Sequence, residues 1–91
     1  MNFSQIATAS LDELNDELAA AGWESRISSR PDARCAVARL LHETFGPFDL
    51  RDSETNENIR DATAAEAADC VSAGSEGHIL DLDGRKCYVA E

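Results

Sequence analysis

Asp83-Gly84 constrains this chain more than any other pair of its residues. Asp-Gly is a preferred type I′ turn dipeptide, because both positions tolerate the left-handed backbone that joins two twisted antiparallel strands. Alternating apolar and polar residues flank it on both sides. A two-residue loop then sets the register: Leu82 opposite Arg85, Asp81 opposite Lys86, Leu80 opposite Cys87, Ile79 opposite Tyr88 and His78 opposite Val89. Leu80, Leu82, Cys87 and Val89 fall on one face, and Asp81 meets Lys86 on the other. Apolar residues meet across the pair and charge meets charge, so the pattern supports its own register.

The first half of the chain carries helical signals. Ser10-Leu11-Asp12-Glu13 is a capping box, in which the serine hydroxyl and the glutamate carboxylate satisfy each other's backbone amides. Leu11, Leu14, Leu18 and Ala21 make one stripe, and Gly22 is the stop. Residues 3–8 either extend this helix or form a separate turn before it. A second helix starts after Ser29, with Pro31 in its first turn. Ala33, Ala36, Val37, Leu40, Leu41 and Thr44 have the spacing of a buried face, with Arg30 and Arg34 together outside. Gly46-Pro47 ends it. Leu40→Ala is expected to cost about 2–5 kcal/mol.

From Phe48 the period changes. Phe48 and Leu50 read as a strand, 53–58 as a polar turn with Asn56 left-handed, and 59–61 as the return strand. Thr63-Ala64-Ala65-Glu66 is a second capping box, opening a short helix through Ala67, Ala68 and Val71 to Gly74. The expected fold is α+β over a single domain, 1–91: a helical pair, 1–47, then hairpin–helix–hairpin, 48–91, on a small antiparallel sheet.

Charge restricts function. With 18 Asp+Glu against 8 Lys+Arg the net charge is −10, which opposes direct binding to nucleic acid or to an anionic membrane. No apolar run is long enough to span a bilayer. The first residues lack the basic and apolar regions of a signal peptide, and three cysteines at 35, 70 and 87 suit reduced thiols. A cytoplasmic protein is expected.

Reactive residues are scattered. Cys35 and His42 lie about 10.5 Å apart along one helix, too far to share a zinc ion or to act as nucleophile and base. Phosphate-binding glycine loops and GxSxG are missing from the sequence. Gly74-Ser75-Glu76-Gly77 would follow a helix C-terminus, whose dipole repels anions. A chain this small also has little room for a pocket of about 300 Å³. The expectation is no metal, no cofactor and no catalysis.

The carboxylates remain. Asp12 with Asp16 and Glu13 with Glu17 form two columns on the first helix, and Asp52, Glu54 and Glu57 cluster in the first hairpin. Such an array has the charge density of a nucleic-acid backbone and suits the basic groove of a nucleic-acid-binding complex. A solvated face that keeps the domain soluble is the alternative, although −10 exceeds the magnitude of about 2–8 that solubility asks for.

In size, acidity, lack of catalytic motifs and α+β build, the chain resembles the small anti-defence proteins of phages and mobile elements, anti-CRISPR proteins above all. The stretch from Ile59-Arg60-Asp61-Ala62-Thr63 to Gly84-Arg85-Lys86-Cys87-Tyr88-Val89 looks like a helix–hairpin module of small phage proteins. The resemblance implies a protein that binds a CRISPR effector and blocks its access to DNA; it assigns no residue a role. The expected function is a non-enzymatic inhibitor that binds a basic surface of a host defence complex through Asp12, Glu13, Asp16, Glu17, Asp52, Glu54 and Glu57. The alternative is a protein-interaction or subunit module with an apolar contact centred on Ile79 and Tyr88, its acids serving solubility only.

Overall fold

The computed structural model describes residues 1–72 and 79–91. Two N-terminal helices precede a β-β-α-β-β segment, an α+β architecture. A 3-10 helix, Phe3–Thr8, comes first and is separate from α1, Leu11–Ala20. Both bonds of the Ser10–Glu13 capping box are made: the Glu13 amide donates to Ser10 Oγ and the Ser10 amide to Glu13 Oε1, each at 3.1 Å. At the other end Gly22 is left-handed, φ 98°. Its amide reaches Ala19 O and that of Trp23 reaches Leu18 O, a Schellman closure that places Trp23 just past the helix. Ala21, expected on the apolar stripe, is the exposed C-cap.

α2, Arg30–Phe45, buries Ala33, Arg34, Val37, Ala38 and Leu41. The buried stripe is thus rotated from the expected one: Ala36 and Leu40 are half-buried and Thr44 is exposed. Arg34, placed outside by the sequence pattern, is buried and donates to Ala7 O at 3.4 Å. Arg30 donates twice to Ala9 O, at 2.8 and 3.1 Å. The carbonyls left free by the short 3-10 helix attract both guanidiniums, which outweighs their polarity. Gly46 ends α2 without a left-handed turn, at φ −76°. Its glycine is required by close approach instead, since an added Cβ would stand 2.2 Å from His42 O.

β1, Asp49–Asp52, pairs with β2, Asn58–Asp61, around a turn in which Asn56 has φ 61°. α3, Ala64–Ser72, opens on the Thr63–Glu66 capping box; the expected stop at Gly74 lies outside the described residues. β3, Leu80–Leu82, and β4, Arg85–Ala90, pair in the expected register, with Leu80 on Cys87, Asp81 on Lys86 and Leu82 on Arg85. Asp83 and Gly84 are both left-handed, φ 55° and 81°. The ladder does not continue to Ile79, and His78 lies outside the described residues.

The sheet order is β2-β1-β4-β3, so the two hairpins meet through β1 and β4, with Leu50 opposite Val89. α3 lies over β3 and β4, α2 packs on α3, and α1 packs on α2. One core runs through this stack, from Leu14 and Leu18 through Val37, Leu41 and Val71 to Leu50, Cys87 and Val89. Phe48 joins its parts, 5.1 Å from the Phe3 ring and edge-on to His42. Among the described residues no helix is long and apolar enough to cross a membrane.

Candidate apolar groove

The rotation of α2 leaves its Ala36–Leu40 side half-buried against the edge of the core, and a groove forms there. One part, about 360 Å³, lies between Trp23 and α2 and is lined by Asp32, Cys35, Ala36, Arg39, Leu40 and Glu43. It exceeds the volume expected for so small a domain. A second part, about 180 Å³, lies between the end of α1 and the end of α2, where Ala20, Ala21, Leu40, Leu41 and Phe45 line it. Leu40 lines both, so the two parts adjoin at that side chain. Trp23 is 46% exposed and Phe45 72%.

Local sequence positions each wall. The Schellman closure at Gly22 projects Trp23, and Asn15 then fastens the loop that follows. Its amide nitrogen donates to Leu11 O and Ile27 O at 3.0 and 2.9 Å, and Ile27 N donates to its Oδ1 at 2.8 Å. A buried asparagine with three bonds to backbone is a rigid tether rather than a polar face residue. The stop glycine was the signal for Trp23; nothing in the helical period marked Asn15 or Phe45.

Cys35 brings a thiol to the groove. Burial pushes the Cys35 thiol above its ordinary pKa, against the lowering effect of Arg39 and with Asp32 and Asp69 adding to the rise. A protonated thiol is a poor nucleophile. Its Sγ–H points to Ala68 O at 3.6 Å. Cys70 and Cys87 are buried. Among the described residues, no group of three or more His, Cys, Asp or Glu could hold a metal ion.

The expected carboxylates divide by their partners. Asp12 pairs with Arg26, Glu13 closes the α1 cap, and Glu17 accepts from the Met1 amino group at 3.2 Å. Asp52 is only 9% exposed. It accepts from the Glu54 and Thr55 amides and, at 2.7 Å, from Arg85 Nε. These bonds hold its carboxyl below the usual range, the Arg85 contact most strongly. Glu57 stands 4.0 Å from Arg85. Asp16 and Glu54 are exposed and have no ion pair among the described residues. The α1 acids and the hairpin acids sit on elements separated by α2 and α3, not on one surface element.

Of the alternative pair, Ile79 is 42% exposed. Tyr88 is half-buried and donates its hydroxyl to Asn56 Oδ1 at 2.6 Å. Tyr88 therefore ties the two hairpins together across the outer face of the sheet.

No protein-family model matches the chain, and no curated protein or solved structure matches it either.

Proposed function

We propose that this protein is a non-catalytic protein-binding domain that docks a partner through the apolar groove between Trp23 and Phe45. The observation that carries this is the exposure of those two aromatic residues, each lining one of two apolar cavities that adjoin at Leu40. Aromatic anchors beside an apolar floor are the residues from which interfaces draw most of their affinity. This is the apolar-contact reading of the chain, moved from Ile79 and Tyr88 to the helical side. The domain would act in the cytoplasm, a reducing compartment that suits a chain with cysteines at 35, 70 and 87.

A second reading is favoured by the net charge of −10 and by Asp16 and Glu54, whose carboxylates have no cationic partner among the described residues. In it the protein inhibits a host defence complex, such as a CRISPR effector, by occupying a basic nucleic-acid-binding surface. Asp12, Glu13, Glu17, Asp52 and Glu57 already have intramolecular partners, which weakens their part in that array.

Affinity capture from a bacterial lysate tests both readings, with wild type, Phe45→Glu, and the double variant Asp16→Lys, Glu54→Lys. Under the docking reading the captured protein survives high salt and is lost with Phe45→Glu. A partner lost with the double variant and at high salt, yet retained by Phe45→Glu, would replace it with carboxylate mimicry.

A further inference from the structure

The groove has a charge signature as well as an apolar floor. Glu17, Asp32 and Glu43 stand along it against the single cation Arg39. Asp32, Arg39 and Glu43 form no ion pair among the described residues. From Asp32 to Phe45 the α2 backbone rises about 20 Å, the length of three to four helical turns. Ala20, Ala21 and Ala36 line it with small side chains, which permit a second backbone to come close. We infer that the groove receives an amphipathic helix of a partner protein, with large apolar residues at i, i+3/i+4 and i+7 and with Lys or Arg flanking that stripe.

This rests on the docking reading and names its ligand. Apolar anchors between Trp23 and Phe45 supply affinity, and the flanking cations meet Asp32 and Glu43, Glu17 being held by the Met1 amino group. The same charge speaks against the other occupants of an apolar groove. A second copy of a chain at −10 brings like charge to like charge, and an anionic lipid surface is repelled.

Trp23 is the only tryptophan in the chain, so its emission reports occupancy directly. Helical peptides would be selected by display on the immobilised full chain, from a library with a constant apolar stripe and flanks drawn from Lys, Arg, Glu and Ser. The expected result is enrichment of Lys and Arg. The selected peptides should shift Trp23 emission to the blue and protect Cys35 from alkylation. Glu43→Lys should weaken them about tenfold, as should Phe45→Ser, a change at a residue exposed enough to leave the circular dichroism unaltered.

Selected peptides without excess cationic flanks, or indifferent to Glu43→Lys, overturn the inference while leaving the docking reading intact. If no peptide shifts Trp23 emission and Phe45→Ser changes no binding, the docking reading falls too. A dimer in sedimentation that Phe45→Ser abolishes would make the occupant a second copy and overturn the basic helix.

Discussion

The two ends of this molecule dispose of their surface residues in opposite ways. At the sheet end several charges are paired within the chain, Glu54 excepted: Asp52 holds Arg85, Asp81 lies 3.7 Å from Lys86, Asp49 pairs with Arg51, and Arg60 grips Glu66. At the helical end, Trp23 and Phe45 remain in solvent, and Asp32, Arg39 and Glu43 stand without ion pairs among the described residues. Acidity by itself therefore says little about where a partner binds. What distinguishes the helical end is apolar area left uncovered beside charge left unpaired. Both cost the isolated domain something that a complex would recover.

The largest effect expected from testing this contrast comes from adjacent leucines of α2. Leu41→Ala opens a cavity in the core and should lower stability by about 2–5 kcal/mol in urea denaturation. Leu40→Ala should cost about 1 kcal/mol or less, because its half-buried side chain faces the groove. Equal losses would mean that Leu40 belongs to the core and that the groove floor is not free to bind.

Next is the charge network beside the sheet. Arg60 donates to both Glu66 oxygens, at 2.9 and 2.8 Å, and draws that carboxyl from 4.5 down to about 2, with the Thr63 amide assisting against burial. A lowered carboxylate pKa stabilises the fold above the unfolded value and loses that contribution as pH falls from about 4.5 toward 2. Asp52 acts in the same direction. Melting temperature should thus fall steeply over that window in wild type and less in Glu66→Gln, which at neutral pH should itself cost about 1–2 kcal/mol. Identical acid profiles would remove Glu66 from the network.

Gly22→Ala should follow, at about 1 kcal/mol, since an L-residue is strained at φ 98°. It should also alter Trp23 emission, because the closure that positions Trp23 is disturbed. The smallest effect is expected of Asp16→Lys, which relieves repulsion with Asp12 four residues away and should raise stability by a few tenths of a kcal/mol. A clear loss would show that Asp16 has a structural task like those of its neighbours.

Local codes proved legible wherever nearby residues alone satisfy the backbone. Ser10 with Glu13, Thr63 with Glu66, Gly22, Asn56 and Asp83-Gly84 each act within a few residues, and each takes the conformation its chemistry demands. The face of α2 was harder to read. Its alanines, leucines and arginines satisfy two phases of the helical period. Free carbonyls at Ala7 and Ala9 decide between them, Ala7 O bonding the buried Arg34 and Ala9 O the guanidinium of the exposed Arg30. The same rotation leaves Leu40 half-buried at the edge of the core, beside the groove, so the candidate site lay hidden behind the same ambiguity.

The sequence alone determined the α+β class, the element order, the caps and the β3–β4 register, since these follow from steric limits and hydrogen bonds between near neighbours. Tertiary structure alone decided that β1 joins β4, that Asn15 tethers the Trp23 loop and that Asp52 faces Arg85 rather than open solvent. Those contacts join residues far apart in the chain. Their partners are selected by which apolar surfaces can be buried together, and no local spacing records that choice.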